Sequence, residues 1–270
     1  MQGRLSALVD GKIQAFPWNE WRQEFPRAKA LGLGRMEWTL DQERLRDNPL
    51  MTAAGRGEIL RLALENAVQI PSLTGDCFMQ APFWKATGTA QQALLTDLDL
   101  VLASAAALGI EFIIVPLVDN GRIENPEQAG ILLRALLDRS ASLAGQGLKI
   151  LFESDAPPDE LARFIADFPH NVFGINYDIG NSASLGYDCG EEISCYAARI
   201  LNVHVKDRVR GGTTVPLGTG AAQLASAIRG LEQSGYRGQY ILQTARAADH
   251  AAALARYREM TVQWIEEAGR

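Results

Sequence analysis

Short apolar runs recur along the chain, and the gaps between them leave room for one helix each. Their side chains are apolar at consecutive positions, as expected of strands buried on both faces of a parallel sheet. The pattern predicts seven strands, at residues 34–40, 68–75, 111–119, 149–155, 172–179, 200–207 and 238–245. Helical periodicity predicts helices at residues 89–108, 126–144, 158–167, 221–234 and 249–267.

This alternation predicts a (β/α)8 TIM barrel, a fold that typically takes about 250 residues. The chain has 270 residues, so we expect residues 1–270 to form a single domain. The eighth strand would be the N-terminal MQGRLSAL, which is short for a barrel strand; either this first strand is truncated or the natural start lies upstream. An open doubly wound sheet is the alternative, but its usual glycine-rich turn after the first strand is absent.

Composition excludes several classes of function. With 26 basic and 32 acidic residues the net charge is −6, which disfavours a nucleic-acid partner. No apolar run approaches the ~20 residues of a membrane span, and the N-terminus lacks the apolar core of a signal peptide. Cys77, Cys189 and Cys195 form no CxxC motif and indicate reduced thiols in a cytoplasmic protein; a zinc pair at 189 and 195 is the alternative.

Four polar residues lie at the ends of four successive predicted strands: Glu153, Asp178, His204 and Gln243. Strand ends of a parallel barrel converge on one rim, so two carboxylates, an imidazole and an amide oxygen would meet there. These groups are suitable ligands for one divalent cation. The sequence therefore predicts a metal site at this rim.

Each of these residues also has a purely structural interpretation. Glu153 could cap the next helix, and turn chemistry alone could explain an aspartate within NYDIGN. His204 could be a satisfied core residue, although it alternates with Val203 and Val205 and so faces away from them. Gln243 carries no charge and cannot act as a base at neutral pH.

Other polar residues near the same strand ends are candidates for binding a substrate: Glu37, Asp76, Asp207 and Arg246. Arg246 could bind an anionic group bidentately, with an ordinary surface salt bridge as its alternative. Lys206, beside Asp207, could take part in catalysis. The glycines of PLGTGAA, residues 216–222, could present backbone N–H groups to a phosphate or serve as plain turns.

The chain resembles the xylose isomerase-like TIM-barrel superfamily, and within it the sugar phosphate isomerase/epimerase group. The segments that carry this resemblance span nearly the whole chain: MQGRL, IQAFPW, MEWT, DCFM, LFES, NYDIGN, NVHVKDR, PLGTG and YILQTAR. In that family a divalent cation, often manganese, is held by Glu, Asp, His and Glu at the ends of the last four strands. Glu153, Asp178 and His204 match the first three, whereas Gln243 stands in place of the fourth carboxylate.

The resemblance implies a metal-dependent isomerase or epimerase that acts on a sugar or sugar phosphate through an enediolate. Manganese is the first choice of metal, with magnesium, cobalt and zinc as alternatives. Glu153 would be the base, and Lys206, Asp207 or Asp76 would have to act for the missing carboxylate unless the reaction uses a single base. A dehydratase and a non-catalytic sugar-binding relative are the alternative functions. Pairing through rim helices would make the protein a homodimer.

Overall fold

The computed structural model describes residues 1–269 and confirms the parallel barrel. Within these residues, seven parallel strands form one sheet in the order β1-β2-β3-β4-β5-β6-β9. Their bounds are β1 Arg35–Thr39, β2 Gln69–Thr74, β3 Phe112–Leu117, β4 Lys149–Ser154, β5 Phe173–Asp178, β6 Ile200–Val205 and β9 Gln239–Leu242. A two-stranded antiparallel ribbon follows β6, formed by β7 Asp207–Arg208 and β8 Thr214–Val215.

The N-terminal residues close the barrel between β9 and β1. The backbone N–H of Gln2 donates to the Leu242 carbonyl at 3.1 Å, and the N–H of Glu37 donates to the Met1 carbonyl at 2.8 Å. Gln2 forms an isolated parallel bridge with Glu37. The first strand is therefore reduced to a stub, as the short N-terminal segment predicted.

Helices connect the strands around the outside of the barrel. Their bounds are α1 Trp21–Ala30, α2 Ala53–Asn66, α3 Asp76–Gln80, α4 Gly88–Leu108, α5 Pro126–Leu137, α6 Ser140–Gln146, α7 Pro158–Ala166, α8 Ile179–Leu185, α9 Cys189–Tyr196, α10 Leu224–Gln233 and α11 His250–Ala268. None of the helices described for residues 1–269 has both the length and the apolar character that crossing a membrane requires.

The predicted single helix over residues 126–144 is wrong, because the structure divides it into α5 and α6. Arg139 lies at the break, where its guanidinium donates to the Ala135 carbonyl at 2.7 Å and pairs with Asp99 of α4 at 2.6 Å. The side chain thus satisfies a carbonyl in the last turn of α5, which stabilises the end of that helix.

The inside of the barrel holds a polar network in place of the branched aliphatic layers common in such barrels. Its members are buried: Glu37, Ser72, Thr74, Asn176, Asn202, His204 and Gln239. Ser72 and Thr74 donate to the Glu37 carboxylate at 2.8 and 2.6 Å. Because buried polar groups are stable only when hydrogen-bonded, this network fixes the side chains that support the rim above it.

Candidate active site

His204 lies inside the barrel with a carboxylate against each ring nitrogen. The parallel register places it beside Asp178 of β5. Its Nε2 lies 2.7 Å from Glu37 Oε1, and its Nδ1 lies 3.2 Å from Glu153 Oε2. Glu37 therefore orients the ring so that Nδ1 faces the carboxylates of the rim.

Glu153 is the penultimate residue of β4, and both of its carboxylate oxygens accept hydrogen bonds from amides. Asn176 Nδ2 donates to Oε2 at 2.7 Å, and Asn181 Nδ2 donates to Oε1 at 2.8 Å. Arg208 in turn holds Asn181, donating from Nη1 to the amide oxygen at 2.9 Å. The position of this carboxylate is therefore fixed from two sides.

Asp178 ends β5, and its two oxygens have different partners. Oδ1 accepts the backbone N–H of Asn181 at 2.8 Å and caps α8. Oδ2 accepts from Lys206 Nζ at 3.2 Å and lies 3.9 Å from His204 Nδ1. One oxygen thus has the capping role that turn chemistry predicts, while the other faces Glu153 and His204.

Burial and charge oppose each other in this group. Burial disfavours a charged His204, but the carboxylates of Glu37 and Glu153 outweigh it and raise the pKa of the imidazole to about 10. Burial also disfavours a charged Glu153, yet its hydrogen bond to His204 and the charges of His204 and Lys206 hold its pKa below the ordinary value. For Asp178, burial prevails over the attraction of Lys206 and raises the pKa.

This donor set fits a divalent cation. One ligand atom each from Glu153, Asp178 and His204 lie within 4.8 Å of one another, a spread that suits metal–ligand distances of about 2.0–2.6 Å. With Nε2 held against Glu37, the imidazole has the carboxylate–histidine arrangement that orients histidine ligands in metal sites. Glu153, Asp178 and His204 would hold such a cation, and His204 would give up the proton that faces Glu153.

Gln243, the predicted fourth ligand, is held between two other side chains. Its Nε2 donates to Gln2 Oε1 at 2.7 Å, and its Oε1 accepts from Lys206 Nζ at 2.8 Å. Since Lys206 also contacts Asp178, its ammonium bridges the two residues. A positive charge therefore already lies beside the Asp178 oxygen that faces the imidazole.

A pocket of about 470 Å³ opens at the mouth of the barrel beside these residues. Glu153, Lys206 and Asp76 all line it. Asp76 begins α3, and its Oδ2 accepts a hydrogen bond from Gln14 Nε2 at 2.6 Å. Burial, together with the charges of Asp41 and Glu153, raises the pKa of Asp76 to about 7 in spite of that hydrogen bond.

The other predicted substrate-binding residues lie outside the pocket lining formed by the described residues. The carboxylate of Glu37 lies deeper, inside the barrel. Asp207 is also buried, and its carboxylate accepts backbone N–H groups from Gly218 and Gly220 at 2.9 Å and from Ala222 at 3.0 Å. The N–H groups considered for a phosphate are thus occupied by the chain's own carboxylate.

Arg246 binds the backbone of the N-terminal segment that forms part of the pocket wall. Its Nη1 donates to the Ser6 carbonyl at 2.7 Å and its Nε donates to the Ile13 carbonyl at 3.1 Å. Ile13 and Gln14 belong to the pocket lining. Arg246 therefore holds the N-terminal segment that contributes one wall.

Sequence reasoning missed the amides that position the carboxylates. Asn176 precedes Asp178 by two residues, so the two-residue period of a strand places both on the same face of β5. That signal could have identified Asn176 beside a predicted ligand. Gln2 lies in the N-terminal stub and Gln14 in the irregular segment that follows it, and neither left a comparable signal.

Comparisons with known proteins agree with this fold. A family model described as xylose isomerase-like TIM barrel matches residues 25–264. L-ribulose-5-phosphate 3-epimerase UlaE of Escherichia coli is 25% identical over 267 residues, covering 95% of this chain and 94% of that protein.

Two solved structures illustrate the likeness of fold. A xylose isomerase-like TIM barrel protein from Mycobacterium smegmatis in complex with magnesium has a TM-score of 0.72 at 16% identity, over 99% of this chain and 96% of that chain. The IOLI protein with a bound zinc atom has a TM-score of 0.74 at 14% identity, over 92% of this chain and 93% of that chain.

Proposed function

This chain belongs to the xylose isomerase-like TIM barrel family, and from that premise we propose that it is a metal-dependent isomerase or epimerase of a sugar or sugar phosphate. The observation that carries the proposal is the buried group of Glu153, Asp178 and His204 beside a pocket at the barrel mouth. Active sites of such barrels lie at the C-terminal ends of the strands. The pocket volume of about 470 Å³ falls in the range of small-molecule sites.

The reaction begins with proton abstraction next to a carbonyl. A divalent cation held by Glu153, Asp178 and His204, manganese by first choice, would supply Lewis-acid polarisation of that carbonyl. Glu153 is suited to be the base because its lowered pKa keeps it deprotonated at neutral pH. The two amides that hold it matter because a base must come within about 3 Å of the proton it takes. Lys206, which lines the same pocket, would donate to an oxygen that gains negative charge.

A dehydratase is the second candidate, and Lys206 favours it. Its ammonium lies in the pocket wall, where it could protonate a leaving hydroxyl after the same proton abstraction. Mass analysis distinguishes the two reactions, because only the dehydratase product has lost water. A non-catalytic sugar-binding protein is the third candidate, since Gln243 stands where the family has a carboxylate.

The first experiment tests the metal by calorimetric titration of the purified protein with Mn²⁺. We expect one equivalent to bind to the unmodified chain and none to His204→Ala. Asp178→Asn serves as the milder variant, because its remaining oxygen can still cap α8. Gln243→Glu is the matched reverse change, and adding a charged oxygen ligand should tighten Mn²⁺ binding by about tenfold, or roughly 1.4 kcal/mol.

The second experiment tests the chemistry in D2O with Mn²⁺, using a panel of free and phosphorylated pentuloses and hexuloses that includes L-ribulose and L-ribulose 5-phosphate. We expect deuterium to enter one substrate at the carbon next to the carbonyl. Glu153→Gln should slow this exchange by at least about 100-fold. If the unmodified chain binds Mn²⁺ and a sugar but exchanges no proton, the enzyme proposal fails and the binding-protein interpretation replaces it.

A further inference from the structure

Asp76 differs from the other acidic residues that line the described pocket. It is 5% exposed, and among residues 1–269 its carboxylate accepts one side-chain hydrogen bond, from Gln14. Asp119 is exposed, and Asp155 forms an ion pair with Arg122. Asp76 is therefore a buried carboxylate beside the pocket with little of its hydrogen-bonding capacity used by the protein.

Topology places Asp76 across the mouth from Lys206. Counting the Gln2 stub between β9 and β1, the barrel has eight strand positions. Asp76 follows β2 and Lys206 follows β6, so four strand positions separate them in either direction around the barrel. Glu153 of β4 lies two strand positions from each of them, so a ligand that fills the pocket would meet Asp76 and Glu153 from different directions.

Epimerisation through an enediolate needs a proton acceptor on one face of the substrate and a proton donor on the opposite face. Gln243 cannot serve as the second group, because an amide neither accepts nor releases a proton at neutral pH. Asp207 is engaged by the backbone N–H groups of Gly218, Gly220 and Ala222. Of the carboxylates that line the described pocket, Asp76 is the buried one that remains besides Glu153.

We propose that Asp76 is the second proton-transfer group of this site, on the face of the substrate opposite Glu153. This inference rests on the proposed epimerase function. Glu153 takes a proton from the carbon next to the carbonyl as that C–H bond breaks, and the electron pair forms the enediolate. Protonated Asp76 then gives its proton to the opposite face of the same carbon as a new C–H bond forms. Exchange with water afterwards removes the proton from Glu153 and restores the proton of Asp76.

The environment of Asp76 suits a group that donates a proton. Burial and the nearby charges of Asp41 and Glu153 raise the pKa of Asp76 to about 7, so both of its forms are populated at neutral pH. A buried carboxyl group that holds a proton in part of the molecules can donate that proton to a substrate carbon within its reach.

The test compares Asp76→Asn with the unmodified chain in D2O, using Mn²⁺ and the ketose that exchanges its proton in the experiment above. Proton NMR follows two rates: loss of the C–H signal and appearance of the epimer. We expect Asp76→Asn to keep the exchange within about threefold and to lose epimer formation by at least about 100-fold. Glu153→Gln is the matched control, because losing the base should abolish both rates.

Other outcomes overturn the assignment. Epimer formation by Asp76→Asn at nearly the unmodified rate would place the second proton donor elsewhere. If Asp76→Asn still folds and binds Mn²⁺ but loses both proton exchange and epimer formation, Asp76 acts before proton abstraction. Exchange by the unmodified chain without any epimer would also remove this role. Absence of exchange in the unmodified chain is a separate result, because it overturns the proposed function itself.

Discussion

Two carboxylates at the barrel mouth are buried to a similar extent, but their pKa values are shifted in opposite directions. On the β4 side, Glu153 is 6% exposed, yet its hydrogen bond to His204 and the charges of His204 and Lys206 hold its pKa below the ordinary value. On the β2 side, Asp76 is 5% exposed, and burial raises its pKa to about 7. Nearly equal burial gives opposite shifts, so the partners decide which carboxylate keeps its charge.

This difference separates two roles for buried charge. Glu153 belongs to a network that continues through His204 to Glu37 and the hydroxyls of Ser72 and Thr74. Among the described residues, Asp76 forms no hydrogen bond with that network, and it lines the pocket. The first arrangement fixes the position of a charged carboxylate, whereas the second keeps a group that can gain or lose a proton at neutral pH.

The largest effect should come from removing the charge that supports the β4 side. Glu37→Leu deletes the acceptor for Ser72, Thr74 and Asn202 and leaves His204 without its Nε2 partner. We expect the free energy of unfolding to fall by about 3–5 kcal/mol, because removing one member of a buried ion pair leaves the other charge buried and uncompensated. Urea unfolding at pH 7 measures the change.

Glu37→Gln is the control for that variant, since it keeps the shape and one oxygen acceptor. It should lose less stability than Glu37→Leu. A loss below about 1 kcal/mol for Glu37→Leu would mean that the carboxylate contributes little to the network.

The sequence predicted the strands well because they are apolar runs of barrel-strand length. All seven strands of the barrel sheet lie within their predicted ranges, and each of the five predicted helices has its counterpart, apart from the division at Arg139. Five helices of the described residues were not predicted: α1, α2, α3, α8 and α9. Pro26 interrupts the pattern of α1, and α2 has Ile59 as its one buried residue. Helices α3, α8 and α9 contain only 5, 7 and 8 residues. Short helices have too few turns for a periodic pattern.

Strand position also identified Glu153, Asp178 and His204, which the structure brings together. It could not show which atoms a side chain would contact. Asp207 also ends a strand run, but its carboxylate binds the loop at residues 218–222. Arg246 likewise turns to the carbonyls of Ser6 and Ile13. Contacts between segments more than 200 residues apart in sequence, such as Arg246 to Ser6 with a separation of 240, leave no local pattern.

A smaller effect, of opposite sign, is expected on the β2 side. The folded chain favours protonated Asp76, because its pKa is about 7 against an ordinary 3.8. The cost of its buried charge is therefore complete above pH 7 and disappears as the pH falls towards 4. Full ionisation corresponds to roughly 4 kcal/mol, and since asparagine still buries a polar group we expect Asp76→Asn to gain about 2 kcal/mol at pH 8.

Urea unfolding of Asp76→Asn and the unmodified chain at pH 8 and at pH 4 measures this gain. The difference should be largest at pH 8 and close to zero at pH 4. A variant that is less stable than the unmodified chain at pH 8 would show that the charge of Asp76 stabilises the fold. If Asp76→Asn gains stability and loses epimer formation, the result is that expected of a residue that serves the reaction at a cost in stability.

The smallest effect should come from the one hydrogen bond that Asp76 does receive. Gln14 donates to it at 2.6 Å and lowers its pKa against burial. Gln14→Leu removes that donor at similar side-chain size, and since a hydrogen bond to a charged group contributes about 1.5 kcal/mol, the pKa of Asp76 should rise by about one pH unit. Carbon-13 NMR titration of the aspartate carboxyls measures the change, with Asp76→Asn identifying the signal. An unchanged pKa would mean that burial and the neighbouring charges set it without a contribution from Gln14.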